Sequence, residues 1–177
     1  STPEWTGELY LELHRGTYTS MALNKRLNRK CEFVFRLAEL LCTMNFVLLG
    51  REYPRQQLRD SWQVILLNQF HDILPGSSIY EVYEESHRQY CEVLKTGEHM
   101  VEDALRLIAE GIGTRGGILA FNPHSFAADG YVKGVRVTDL PSLGWRVLEP
   151  MPEESGIKVT EKRLENDFYR IEIDEAG

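Results

Sequence analysis

Asn68-Gln69-Phe70-His71-Asp72-Ile73-Leu74-Pro75-Gly76-Ser77-Ser78 divides the helical part of this 177-residue chain. A strongly apolar helical run leads into the stretch, and Pro75-Gly76 breaks that run. Ser78-Ile79-Tyr80-Glu81 then reads as a capping box that opens a new helix, with Ser78 and Glu81 each satisfying the other's free backbone donor. The break folds one helix back on the next and sets an imidazole beside a carboxylate at the corner. A helix end of this kind can present a metal ligand.

Working upstream, Pro54 suits the first turn of a helix, where its missing N–H is not needed. Leu58, Trp62, Ile65, Leu66 and Gln69 or Phe70 carry helical spacing from there to the corner. Val64-Ile65-Leu66-Leu67 is apolar nearly all round, which predicts the most buried helix of the set. An earlier helix over residues 20–43 places Leu23, Leu27, Cys31, Val34, Leu37 or Ala38, and Leu41 on one stripe, with Lys25, Arg26, Arg29 and Lys30 opposite. Thr19 or Ser20 would cap it, and it should end near residues 43–50. Residues 5–13 alternate Leu9, Leu11 and Leu13 with Tyr10 and Glu12, the pattern of a short extended segment.

Downstream, a helix over residues 79–110 puts Ile79, Val82 or Tyr83, Ser86, Tyr90, Val93 or Leu94, Gly97, Val101, Ala104 or Leu105, and Ile108 on its inner face. Gly97 costs such a helix on the order of 1 kcal/mol against Ala, so it is expected to mark close approach of a neighbour. Gly111 is placed to end the helix in the left-handed region. Three helices with short links imply an antiparallel three-helix bundle.

After the glycine-rich segment 111–117 the pattern changes. Ile118–Phe121, Tyr131–Val137, Trp145–Leu148, Ile157–Leu164 and Phe168–Ile173 read as short strands, punctuated by Asn122-Pro123, Asp129-Gly130, Pro141 and Asn166-Asp167. These strands are too few to close a sandwich and would leave open edges. The expected fold is therefore mainly α with a β tail: a three-helix bundle over residues 1–111, then the first strands of an incomplete β-sandwich domain over residues 112–177. The native polypeptide is expected to continue beyond this chain, and a first residue of Ser1 rather than Met suggests a removed start.

Composition narrows the partners. A formal net charge of -7 argues against nucleic acid, whose phosphates need a basic surface. No run approaches the ~18 apolar residues of a membrane span, and no secretory leader is visible. Cys31, Cys42 and Cys91 fall in helices without metal-like spacing, which suggests reduced core thiols and a cytosolic setting. The segment 113–117 lacks the Lys-Ser/Thr and helix of a phosphate loop, and Glu84-Glu85, Glu102-Asp103 and Glu153-Glu154 read as solvated faces.

Two polar clusters remain. His71-Asp72 can be a helix-end histidine satisfied by carbonyls beside a turn-capping aspartate, or half of a site. A zinc site needs three or four ligands, and His14, His87, His99 and His124 make no helical pair with His71. If His71 is a ligand, its partners come from sequence outside this chain. The cluster His14-Arg15-Gly16-Thr17-Tyr18-Thr19-Ser20 can be a capping turn, but it offers more donors than a cap requires and would suit a hydroxyl-rich ligand such as a sugar.

Glu8-Leu9-Tyr10-Leu11-Glu12 leading into His14–Ser20, followed by Asn68–Asp72 with Pro75-Gly76-Ser77-Ser78, resembles glycoside hydrolase family 38, the α-mannosidases, and is most similar to their cytoplasmic bacterial members. Ala120-Phe121-Asn122-Pro123, Leu143-Gly144-Trp145 and Leu164-Glu165-Asn166-Asp167-Phe168-Tyr169 resemble the start of that family's C-terminal β domain. The resemblance implies a large retaining enzyme with an N-terminal catalytic domain, a three-helix middle domain and β-sandwich domains. This chain would be the middle domain and the first part of the β region.

On that resemblance His71 is the zinc ligand the middle domain lends to the active site, and Asp72 binds substrate hydroxyls. His14 lies near the sugar, where the family often has an aromatic residue. The nucleophile, the other zinc ligands and the acid/base carboxylate would belong to the N-terminal domain, so no catalytic residue is expected here. The implied cofactor is Zn2+, held weakly if at all by the isolated chain. The implied partners are a mannose-containing glycan or mannosyl conjugate, the N-terminal catalytic domain and the remaining β domains, in the cytoplasm. The competing expectation is a non-catalytic helical interaction module whose His-Asp corner is structural.

Overall fold

The computed structural model of the chain describes residues 2–7, 12–149 and 157–174, and it divides into two compact units at Gly113/Thr114. The first holds three helices, α1 (Ala22–Leu49), α2 (Arg55–Asn68) and α3 (Tyr80–Ile112), preceded by a 3-10 segment, Glu12–Tyr18. The described residues of the second hold seven short strands in three antiparallel sheets, β1 (Ile118–Phe121) with β4 (Trp145–Leu148), β2 (Ala128–Val132) with β3 (Val135–Leu140), and the meander β5 (Lys158–Thr160), β6 (Arg163–Glu165) and β7 (Arg170–Glu172). The molecule is mainly helical with a β tail, as the periodicities imply.

In the bundle α2 runs against its neighbours, so α1 and α3 lie parallel. Three cross-helix hydrogen bonds share nearly one offset: Ser86 Oγ to Asn24 Oδ1, Tyr90 Oη to Asn28 Oδ1, each 62 residues apart, and Asn45 Nδ2 to the Ala104 carbonyl, 59 apart. The core between these helices is Leu27, Cys31, Phe35, Ala38 and Leu41 against Tyr83, Tyr90, Val93, Met100, Ala104 and Ile108. The buried stripe of α1 is thus rotated from the sequence expectation. Leu23 is exposed, while Asn24, Asn28 and Asn45 are buried because each finds a partner on α3.

Gly97 lets the two long helices meet. A Cβ there would lie 2.6 Å from Val34 Cγ1 and 2.8 Å from Phe35 Cε2.

Several local expectations are corrected. Helix α2 is not the most buried: only Leu58, Ser61, Ile65 and Asn68 are buried, the single stripe by which it touches its neighbours, and Leu66 and Leu67 on its other side are 58% and 59% exposed. Neither predicted cap forms. Position Met21 precedes α1 in a left-handed conformation (φ 51°), Ile79 precedes α3, and neither offers a side-chain cap bond. Helix α3 ends on Gly113 (φ 73°) rather than Gly111, which stays helical against Leu49.

The stretch read as one strand over 131–137 is the β2–β3 hairpin. Lys133 and Gly134 both sit at positive φ (47° and 80°), as a tight two-residue hairpin turn requires. Residues 157–164 likewise hold a hairpin, with Val159 opposite Leu164. Of the segment expected to be extended over 5–13, residues 8–11 lie outside the described ones, and a 3-10 turn has begun by Glu12. In the second unit Ala120, Val137 and Leu140 form a small core, and buried Asn122 pins it by donating to the carbonyls of Phe126, Leu140 and Pro141.

Cys31 and Cys42 are buried free thiols, whereas Cys91 is exposed on α3, against the expectation of three core thiols. Burial pushes the Cys31 thiol up to about 12, helped by nearby Cys91, Glu98 and Glu32, and burial also raises Cys42. Since the thiolate is the reactive form, a disulfide reagent at mildly alkaline pH should label one cysteine of the native chain, Cys91, and all three after denaturation. Fast labelling of Cys31 before unfolding would contradict this core.

Candidate functional site

The corner between α2 and α3 is built by turn geometry. Asn68 ends α2, and the Phe70 carbonyl accepts from the N–H groups of both Ile73 (2.9 Å) and Leu74 (3.1 Å). His71 and Asp72 are therefore the central residues of a turn, the positions whose side chains point away from the chain that closes behind them. His71 is 76% and Asp72 59% exposed at the side chain, with Nε2 and Oδ2 3.4 Å apart. The Phe70 ring lies 4.2 Å from the imidazole, centroid to centroid. A histidine kept only to satisfy helix-end carbonyls would be buried against them. This one is presented.

The turn is fastened from inside. The Ser78 hydroxyl, which cannot serve as a cap because α3 starts later, donates to the Asp72 carbonyl. Tyr83 Oη donates to the Ile73 carbonyl and accepts from the Ser78 N–H, both at 3.1 Å. Beneath the corner, Gln69 Nε2 donates to Asn28 Oδ1 and Glu32 Oε1, each at 3.0 Å. Asn68 Nδ2 reaches Gln89 Oε1 at 2.8 Å and the Val64 carbonyl at 3.0 Å. The residues just before His71 thus lock the end of α2 to both long helices. Burial pushes the Tyr90 hydroxyl well above its ordinary range, so it stays a donor to Asn28.

The second cluster docks on the same corner. His14 sits at a kink between two short 3-10 turns (φ -129°, ψ 34°) and is exposed. The segment closes with Thr19 and Ser20 N–H groups donating to the Gly16 carbonyl. Ser20 then meets Gly76, where a Cβ would stand 2.6 Å from Ser20 Cβ, and Gly76 itself has φ +96°. Lys25 Nζ donates to the carbonyls of Ser20 (2.5 Å) and Leu74 (2.8 Å), spanning the two turns. The fold therefore brings the His14–Ser20 segment and the His71-Asp72 corner to one end of the bundle.

Sequence reading missed Lys25, which it placed on the outer face, and the polar lattice of Asn28, Glu32, Gln69 and Asn68. The available signal was a pair of asparagines four residues apart, Asn24 and Asn28, beside the apolar stripe of α1. Among the described residues, no group of three or more metal-ligating side chains is gathered. One exposed imidazole can offer one of the three or four ligands that a zinc ion takes.

Residues 12–108 match the family model for the alpha mannosidase middle domain. Alpha-mannosidase 2C1 of Homo sapiens is 31% identical over 193 residues, covering 98% of this chain and 19% of the relative. Alpha-mannosidase G of Dictyostelium discoideum is 43% identical over 105 residues, covering 59% of this chain and 10% of the relative. The chain spans about a fifth of the length of the human relative. A solved glycosyl hydrolase family 38 protein from Enterococcus faecalis shares the fold, with a TM-score of 0.58 and 22% identity over 66% of this chain and 15% of that one.

Proposed function

The chain belongs to the alpha mannosidase middle domain family, and on that premise we propose that it serves a retaining, zinc-dependent α-mannosidase by supplying one metal ligand, His71, and part of the sugar pocket, Asp72 and His14. The observation that carries this reading is the outward presentation of an imidazole and a carboxylate on a turn fastened from within, beside the His14 segment. The substrate is a mannose-containing glycan or mannosyl conjugate. The three cysteines are free, as a cytoplasmic setting would keep them. No helix among the described residues is long and apolar enough to cross a membrane.

His71 would offer a ring nitrogen to the metal, with the neighbouring Asp72 carboxylate and Phe70 ring limiting its orientation, as outer partners of metal-bound histidines do. When bound, zinc supplies an orienting template for sugar hydroxyls. Asp72 accepts hydrogen bonds from hydroxyls and holds the ring in register, and His14 approaches it from the docked segment. Retention of configuration needs two carboxyl groups ~5–5.5 Å apart, one attacking carbon and one protonating the leaving oxygen. This reading places both outside the chain.

The purified chain should therefore leave an aryl α-mannoside intact while the full-length polypeptide hydrolyses it. Turnover by the chain alone would overturn the division of labour, and a full-length protein inert towards α-mannosides would overturn the activity.

A further inference from the structure

The contact between the two polar segments at the end of the bundle depends on one side chain that neither motif contains. Lys25 lies in the first turn of α1 and is half-buried, with its ammonium between the Ser20 and Leu74 carbonyls at 2.5 and 2.8 Å. Both acceptors lie in turns, outside the helical ladders, so the ammonium meets a need that no helix N–H supplies. Bonds from a charged donor are shorter and roughly twice as strong as neutral ones. Burial holds the Lys25 pKa below the usual lysine range, the cost of taking this ammonium partly out of water. A lysine left in solvent on the outer face of α1 would avoid that cost.

Gly76 is the steric half of the same device. At φ +96° and with Ser20 Cβ only 2.6 Å from where its own Cβ would be, it permits an approach that other residues would prevent. The closeness allowed by Gly76 and the cross-tie from Lys25 concern the same pair of turns and meet at Ser20, whose carbonyl oxygen accepts from Lys25 and would lie 3.2 Å from a Cβ at Gly76.

We propose that Lys25 is a positioning residue, clamping the Ser20 turn to the Leu74 turn so that His14 and the His71-Asp72 pair are presented to one sugar as a single face. The role in substrate binding rests on the proposed mannosidase reading; the clamp itself does not. Lys25 touches neither metal nor substrate and acts through the two turns.

The test uses the full-length protein with Lys25→Met, Lys25→Arg and Gly76→Ala. In Lys25→Met, amide hydrogen exchange should rise about tenfold or more in residues 14–20 and 70–78 together, while the middle turns of α1 and α3 stay protected. With an aryl α-mannoside, KM should rise about tenfold with kcat changed less than about threefold, since the chemistry lies elsewhere. Arg keeps donors for both carbonyls and should restore both readouts. Gly76→Ala separates the same turns sterically and should reproduce the KM rise, which keeps the proposal testable if Lys25→Met fails to fold. Unchanged exchange in Lys25→Met overturns the clamp. Raised exchange with an unchanged KM, or a fall confined to kcat, overturns the positioning role. A wild type inert towards α-mannosides overturns the pocket reading instead, and the exchange result then decides the clamp alone.

Discussion

Replacing His71 by Ala in the full-length polypeptide should strip it of zinc and abolish α-mannoside hydrolysis while leaving the fold intact. The side chain is 76% exposed, and its contacts are the Asp72 carboxylate and the Phe70 ring. Surface substitutions of that kind usually change stability by no more than about 0.5 kcal/mol. Loss of an outer partner of a metal ligand already costs about 10–100-fold in metal affinity or activity, so loss of a ligand should exceed that range. Metal content after gel filtration, measured by atomic spectroscopy, separates this from a trivial loss of folding. Asp72→Asn is the companion variant: the turn is kept by backbone bonds, KM should rise, and any loss of metal should stay smaller than in His71→Ala. Unchanged zinc in His71→Ala would favour a non-catalytic helical module with a structural corner.

A sequence discloses its structure where the physics is local. The strands Ile118–Phe121 and Trp145–Leu148 were legible because each depends on a few adjacent residues, and the close approach at Gly97 because a mid-helix glycine carries a local cost that a neighbour's approach explains. The break after α2 was legible but misplaced: the helix ends at Asn68, ahead of Pro75-Gly76. Asn24, Asn28 and Gln69 were not. Their burial is acceptable only because partners from other helices, 41 or 62 residues away, arrive at the right height. Ser78 misled for the same reason: its hydroxyl has a better acceptor across the turn, at the Asp72 carbonyl, than a cap would give it. Lys25 reads as solvent-facing by periodicity, but a long side chain can double back to carbonyls beyond its own helix. The motif around His71 pointed to a family, but the role proposed for its imidazole is not written in any residue spacing within the chain.

The second large effect concerns the bundle. Gly97→Ala should destabilise the helical unit even though alanine favours a helix by about 1 kcal/mol over glycine. The added methyl would meet Val34 Cγ1 at 2.6 Å and the Phe35 ring at 2.8 and 3.2 Å. Neither neighbour can swing aside cheaply. Val34 is β-branched and held near one rotamer in a helix, and Phe35 is fully buried. Overpacking of this kind costs typically about 1–3 kcal/mol. With two clashes at less than contact distance the steric cost should win, for a net loss of up to about 2 kcal/mol. In a domain of this size that lowers Tm by roughly 4–8 °C per kcal/mol.

The decisive measurement is the double variant. Val34→Ala alone removes packing and should be destabilising, but in Gly97→Ala it also removes the closest obstacle. The pair should therefore lose about 1 kcal/mol less than the sum of the two single losses, a coupling within the range seen for residues in contact. Strictly additive losses by denaturant unfolding would mean that α1 and α3 do not meet at Gly97.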